Sequence, residues 1–346
     1  MEWQKTSICI GLDMGLTDMS GAFARGSWRF GLAALALVST PVIGTSAVAQ
    51  DSYATSSSFG VASLDRELER QLAIIASQSA GKVGIYATEI GGARQVALNR
   101  DHWFPMASTM KIAVAAAYLQ GVDEGRFSLD STYPLRIGTG QTGPDGTVTT
   151  RAGMSLTAQS LIELMITRSD NQATDALLEA VGGPAAVNRW LKSAGISGQR
   201  VDRNIATLLR DDLAKNDPSL GIDKRDSSTP AAMAQLLGAL HRGDVLSAQS
   251  RGVLLGAMSR CATGKTRIPA LLPAGTLVAH KTGTLWSQTS DVGIIRLPDG
   301  RSVALVVFVA GPESHAVHNR QIASIARAVY DNFSSGSYEA SQVARR

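Results

Sequence analysis

Ser302–Ala310 reads SVALVVFVA and carries a strand pattern at the far end of a chain whose middle is helical. The same pattern occurs just before it, at Leu277–Lys281 and Asp291–Leu297. Two more strands are expected near the front. Lys82–Thr88 (KVGIYAT) alternates, and Gln95–Leu98 can pair with it through the Gly91-Gly92 turn. Between these two groups, from about Pro105 to Gly256, the spacing predicts helices over Thr109–Glu124, Leu156–Thr167, Ala173–Val181, Pro184–Ala194, Pro230–Arg242 and Ala248–Met258. Leu64, Leu68, Leu72 and Ile75 space a first helix over Leu64–Ser79, and His315–Asn332 closes the domain with another. Both chain ends would then feed one antiparallel sheet, with the helical block inserted between them. That is an α+β architecture of two lobes in one continuous fold, and a cleft between lobes is a usual place for a small-molecule site.

Composition narrows the function classes. The chain has 346 residues, 33 Lys plus Arg against 29 Asp plus Glu, and a formal charge of +4. With 44% hydrophobic and 18% charged residues it is ordinary globular material. No run of five basic residues is present, which argues against a nucleic-acid partner. A polytopic membrane protein is excluded, because only Phe30–Gly44 (FGLAALALVSTPVIG) is long and apolar enough to consider.

That segment follows Arg25 and Arg29 and precedes the small-residue site Ala47-Val48-Ala49. The combination predicts a cleaved secretory signal over residues 1–49, a periplasmic or secreted product, and no stable membrane insertion after processing. Glu2, Asp13 and Asp18 are unusual in a signal and make Met14 or Met19 candidate starts. Cleavage would remove Cys9 and leave Cys261, so no internal disulfide is expected and Cys261 reads as a packing residue. Residues 50–63 are Ser-rich and read as a flexible lead-in, 64–333 as the folded domain, and 334–346 as a polar, disordered tail. A monomer is expected.

Three short motifs carry chemistry. Ser108-Thr109-Met110-Lys111 is S-x-x-K at a helix start, where residues three apart share a face. A partly desolvated amine at the positive helix end loses its proton more easily and can take the serine proton, so that the hydroxyl attacks a carbonyl. Ser169-Asp170-Asn171 offers a hydroxyl to relay a proton to a leaving nitrogen and an amide to meet a substrate amide. Lys281-Thr282-Gly283-Thr284, at the end of a predicted strand, offers a cation and a hydroxyl to a substrate carboxylate. Gly283 permits close backbone approach, and the N–H of Thr284 with that of Ser108 would form an oxyanion hole. Each motif alone is common by chance; their order and spacing together are specific.

In that order the motifs resemble those of the penicillin-recognising serine acyltransferases, and within them the class A β-lactamases. Gly182-Gly183-Pro184-Ala185-Ala186 and Leu272-Pro273-Ala274-Gly275 fit the same family, and the likeness covers roughly Leu64 to Phe333. Arg200-Val201-Asp202-Arg203 and Arg225-Asp226-Ser227-Ser228-Thr229-Pro230 look like the two ends of its active-site Ω-loop, where the resemblance implies pairing of Arg203 with Asp226. It further implies a β-lactamase/transpeptidase-like fold and a serine hydrolase with Ser108 as nucleophile, Lys111 as base and Ser169 as relay. Asn171, Lys281, Thr282, Gly283 and Thr284 would hold the substrate, a β-lactam or a peptidoglycan-like peptide, with no metal or cofactor.

One departure stands out. The family's loop carries a Glu that activates the deacylating water two residues after the Arg, and here that position is Ile205. The family's loop Asn falls on Leu209, and the loop is longer than usual. Asp211, Asp212, Asp217 and Asp223 lie in the lengthened segment and read as solvated loop acids unless one folds back. Deacylation needs a base near the ester, worth about 10²–10⁴-fold. Three functions therefore stay open: a β-lactamase with slow deacylation, a D,D-peptidase-like or slow penicillin-binding protein, and a non-catalytic sensor on the same fold. Two further motifs are set aside. His315-Ala316-Val317-His318 lacks the acid or cysteine cluster a zinc site needs and reads as a helix-surface pair. Thr263-Gly264-Lys265-Thr266 resembles a P-loop ending, but Ser259 stands where Gly is required. His280 reads as a strand-end neighbour without a role, and Trp286 either lines the cleft or packs at its edge.

Overall fold

A computed structural model describes residues 63–135, 153–212 and 223–343, with side chains to residue 335. The expected signal, most of the lead-in and Asp217 lie outside the described residues. Helix α1 spans residues 63–76. Strands β1 (Lys82–Glu89), β2 (Gln95–Leu98) and β3 (Phe104–Pro105) follow, and a 3₁₀ turn (Ala107–Met110) runs directly into α2 (Lys111–Asp123). The middle of the chain forms β4 (Thr132–Pro134), β5 (Ser155–Thr157), α3 (Ala158–Thr167), α4 (Asn171–Ala180), α5 (Pro184–Ser193), β6 (Gln199–Arg200), α6 (Ile205–Asp212), β7 (Ser227–Ser228), α7 (Pro230–Arg242) and α8 (Ala248–Ser259). A second 3₁₀ turn (Ile268–Leu271) leads to β8 (Val278–Leu285), β9 (Gln288–Arg296), β10 (Ser302–Ala310) and α9 (His315–Val343).

The main sheet is antiparallel in the order β2-β1-β10-β9-β8, so the two ends of the domain meet where β1 pairs with β10. Strand β10 is buried throughout, and its alternate residues serve two cores. Ala304, Val306, Phe308 and Ala310 face the helical block, where Phe308 stacks on Phe104 at 5.6 Å. Val303, Leu305, Val307 and Val309 face α1 and α9, packing with Leu68, Leu72, Ile322 and Val329. Burial on both faces explains why this strand is a continuous apolar run.

Local chemistry sets the helix starts. Thr157 caps α3 by accepting from Ser160 N, and for that reason the helix begins at Ala158 while Ser155–Thr157 pairs with β4. Asp170 caps α4 through Ala173 N at 2.8 Å. Thr229 caps α7, whose first residue is Pro230. Two further elements differ from expectation. The stretch after Arg203 is helical as α6, with Ile205 and Leu208 buried. Helix α9 continues to Val343, so the segment from Ser334, expected as a disordered tail, is helical over its described residues. Among the described residues, no helix is long and apolar enough to cross a membrane.

Strands β6 and β7 pair with each other, and β7 with β3. They draw together both ends of the loop that contains α6 and hold them beside Pro105, just ahead of Ser108.

Candidate active site

Ser108 is half-buried on the 3₁₀ turn, preceded by Ala107 in the left-handed region at φ +48°. A non-glycine residue there is strained, and such strain persists only where the surrounding packing enforces it. The packing comes from β8: a Cβ on Gly283 would lie 2.6 Å from the Met106 carbonyl oxygen and 3.0 Å from Ala107 Cβ. Only glycine lets this strand run against the turn. The KTGT motif is thus inside β8 rather than at its end, since the strand continues to Leu285 paired with β9.

Lys111 begins α2 with its side chain wholly buried. Its Nζ donates to Ser169 O at 2.6 Å, Asn171 Oδ1 at 2.7 Å, Ser169 Oγ at 3.2 Å and Asp170 O at 3.4 Å. Among the described residues none of its hydrogen bonds goes to Ser108. Burial, and then the Lys281 cation, push the amine well below the usual lysine range against the pull of Asp170 and Asp175. A neutral amine keeps two N–H bonds for the closest acceptors and one lone pair, which is what a general base requires.

Lys281, also wholly buried, reaches the same hydroxyl from the other side: its Nζ donates to Ser169 Oγ at 3.0 Å and to Thr282 O at 2.9 Å. Burial pushes it down to about 8. Ser169 is presented to both amines by a left-handed backbone at φ +58°. The structure therefore joins Lys111, Ser169, Asn171 and Lys281 in one hydrogen-bonded set.

Three participants beside this set were not legible in the sequence. Arg267, nearly buried after the glycine turn, donates from Nη1 to Gly283 O at 2.9 Å and Ser290 O at 2.8 Å, and from Nη2 to Thr284 Oγ1 at 2.7 Å. It locks β8 to β9 and sets a guanidinium against Thr284. His280 is not an idle neighbour: its Nδ1 lies 2.8 Å from Asp291 Oδ1, both groups buried. Burial opposes its charge, but the Asp291 carboxylate outweighs that and raises His280 to about 10. Cys261, expected to be packing, is half-buried; burial raises the thiol, yet the charge of His280, with Lys281 and the Thr263 hydroxyl, outweighs it and brings it to about 7. Its Sγ lies 3.3 Å from Thr263 Oγ1, which in turn bonds Thr282 Oγ1 at 2.6 Å.

Arg203 Nε donates to Asp226 Oδ2 at 2.5 Å, closing the loop that holds α6. The loop acids are not bare. Asp211 accepts from Arg203 Nη1 at 2.8 Å, Asp223 pairs with Arg225 at 2.7 Å, and Asp212 accepts from Trp286 N at 3.1 Å. Ile205 is 2% exposed and packs in the main core, so its side chain presents an apolar floor. Trp286 is exposed on the β8–β9 turn. His318 is fully buried, not a surface partner of His315; both rings bond the Thr289 hydroxyl. Among the described residues, no group of three or more His, Cys, Asp or Glu is arranged to hold a metal ion.

Comparison with known proteins gives a consistent result. The sequence model described as the beta-lactamase enzyme family matches residues 67–333. The chain is 31% identical over 284 residues to the extended-spectrum beta-lactamase PER-1 of Pseudomonas aeruginosa, covering 79% of this chain and 90% of that one. It is 30% identical to a beta-lactamase of Streptomyces albus G over 73% of this chain and 80% of that protein. Among solved structures, the TLA-3 extended-spectrum beta-lactamase aligns with a TM-score of 0.71 at 27% identity, covering 78% of this chain and 99% of the other. The ancestral GNCA class A beta-lactamase aligns with a TM-score of 0.68 at 34% identity, covering 76% and 99%.

Proposed function

The chain belongs to the beta-lactamase enzyme family, on its class A side, and from that premise we propose that it opens β-lactams through an acyl-enzyme on Ser108 and releases the product slowly. The observation that carries the first half is the convergence of two buried amines on the Ser169 hydroxyl. Neutral Lys111 takes the Ser108 proton as Oγ attacks the ring carbonyl. The resulting oxyanion is held by the N–H groups of Ser108 and Thr284. Ser169 then gives its proton to the ring nitrogen as the C–N bond breaks, and is reprotonated from the adjoining amines. Asn171 orients the substrate amide. Lys281, Thr282, Thr284 and Arg267 face its carboxylate, with Gly283 keeping the strand close.

Slow release rests on Ile205. The family's water-activating Glu falls at this position, and the buried isoleucine that stands there offers the ester no base. The same feature favours the second reading, a penicillin-binding protein that acylates on β-lactams or peptidoglycan-like peptides and stays acylated. Export with loss of residues 1–49, and action as a monomer, complete the proposal; the basic flank, apolar stretch and A-x-A site support the export.

A chromogenic β-lactam combined with intact-mass measurement tests it. The expected result is one Ser108-dependent adduct that forms quickly and disappears slowly. Absence of any Ser108-dependent ring opening, even in a single turnover, overturns the assignment. Rapid return to free protein overturns the slow half.

A further inference from the structure

We propose that Thr263 and Cys261 are positioning residues for recognition of the substrate carboxylate: through a hydrogen-bonded chain Cys261–Thr263–Thr282 they set which way the Thr282 hydroxyl points its hydrogen. The proposal rests on the acyl-enzyme reading above and assigns what orients one of the groups given there to the substrate.

The segment between α8 and the second 3₁₀ turn is clamped against β8. Ala262 N donates to Thr167 O at 2.9 Å, and Arg267 N donates to Gly264 O at 2.9 Å. Gly264, at φ +73°, lies so close to the strand that a Cβ would sit 2.3 Å from Thr282 Cγ2. Both its backbone and its lack of a side chain are needed there. That approach brings Thr263 Oγ1 to 2.6 Å from Thr282 Oγ1 and to 3.3 Å from Cys261 Sγ. Among the described residues, Thr263 is the hydrogen-bond partner of the Thr282 hydroxyl. Thr282 is 6% exposed, so little solvent competes for that bond.

A hydroxyl has one hydrogen to give and two lone pairs with which to accept. Thr282 can serve a carboxylate only by donating, so it must accept from Thr263. Thr263 then spends its hydrogen on Thr282 and presents lone pairs to Cys261. A thiol fits this arrangement. Its S–H reaches Thr263 Oγ1, or the Thr263 carbonyl oxygen at 3.7 Å, and in both cases the Thr263 hydrogen stays on Thr282. A thiolate does not fit. It has no hydrogen to give and, as a charged acceptor, draws the Thr263 hydrogen more strongly than a neutral hydroxyl does. Thr263 then accepts from Thr282, and Thr282 turns lone pairs toward the carboxylate. Loss of one proton from Cys261 to solvent therefore reverses the chain.

Cys261 titrates at about 7, so both directions are reached at ordinary pH. The charged groups acting on it are His280 and Lys281 from β8, with Arg267 from the turn that follows. Asp291 on β9 pairs with His280 behind them. Lys281 itself titrates at about 8. Carboxylate binding thus weakens with rising pH for a second reason, and a variant that keeps both charges is needed to separate the two.

That variant is Thr263→Val, which removes the middle hydroxyl and leaves Cys261 and Lys281 in place. The readout is the apparent dissociation constant of a chromogenic β-lactam ahead of Ser108 acylation, taken from the concentration dependence of ring opening. At about pH 6 the variant is expected to bind about fivefold more weakly than wild type, the worth of one ordered hydrogen bond. By about pH 9 the wild-type chain has reversed, and the penalty should vanish. In a Cys261→Ser background, where a hydroxyl replaces the ionising thiol, the penalty should persist across the whole range. Thr263→Ser should restore wild-type binding. On a β-lactam with its carboxylate esterified, Thr263→Val should carry no penalty. Should Thr263→Val not fold, Thr263→Ala takes its place. A penalty that is absent at the acid end, constant with pH in both backgrounds, shared by Thr263→Ser or equal on the ester overturns the chain. A wild-type protein that forms no Ser108 adduct instead overturns the acyl-enzyme reading itself.

Discussion

The Lys281 amine donates to the Ser169 hydroxyl at 3.0 Å, although one residue lies on a strand of the sheet and the other just ahead of a helix of the inserted block. The bond spans the two lobes and ties the cation proposed to hold the substrate carboxylate to the hydroxyl proposed as proton relay. Ser169→Ala removes the acceptor shared by both amines. Ser108 adduct formation should slow about 10²-fold, the lower range for a lost proton-transfer group. Stopped-flow ring opening checks this, and a rate within a factor of two of wild type contradicts the relay role.

Ile205→Glu is the substitution the sequence invites, and the structure argues against its success. The side chain is 2% exposed in the main core, so a carboxyl there would be buried among apolar groups. The expected cost is about 3 kcal/mol, typical of a severe buried-polar change. Thermal unfolding should show the loss, and the acyl adduct should persist as long as in wild type. Faster adduct loss would mean that the loop turns the new side chain toward the ester.

Arg203→Met leaves Asp226 with its bonds from Asp202 N and Arg203 N but without the guanidinium. The Asp226 side chain is 1% exposed. Breaking such a pair on one side costs about 3–5 kcal/mol, on the order of 10 °C in Tm for a domain of this size. Limited proteolysis should then cut between Asp202 and Asp226 before any other site.

The His280–Asp291 pair predicts a pH dependence of stability. His280 is raised from 6.5 to about 10 in the folded protein. A raised histidine contributes stability that is complete below about 6.5 and is lost as pH climbs through about 10. Asp291→Asn should lower Tm most at the acid end of that window. The difference from wild type should shrink toward pH 10. A difference that stays constant with pH removes the pair as its cause.

Much of the scaffold was legible because it rests on local rules. Ser302–Ala310 and Pro230–Arg242 match the structure residue for residue: one is an apolar strand buried on both faces, the other a helix opened by Thr-Pro and closed by Gly243 in the left-handed region. Strand β8 was read short because Thr282, Gly283 and Thr284 are not strand-like by pattern; their pairing comes from β9 and Arg267. Helix α6 was missed because its N-terminal bonds include those to Asp175, thirty positions earlier for Ile205. Ser108, Lys111, Ser169, Asn171 and Lys281–Thr284 could be picked out because each lies in a short motif, and the structure bonds Lys111, Ser169, Asn171 and Lys281 together. Arg267 and the His280–Asp291 pair could not. Their roles exist only once distant segments are brought together, and no spacing rule records that.

The pairing of Lys82–Glu89 with Ser302–Ala310 also governs when the domain can form. The central ladder of the sheet joins residues from opposite ends of the chain, so loop-closure entropy must be overcome before that ladder contributes anything. A polypeptide emerging N-terminus first holds β1 and β2 as an isolated hairpin, too small to be stable alone, until β10 arrives nearly a whole domain later. Neither lobe can be finished early: the helical block waits for Phe308 to meet Phe104, and α1 waits for α9. The five-stranded sheet is thus completed only after almost the whole domain has been made.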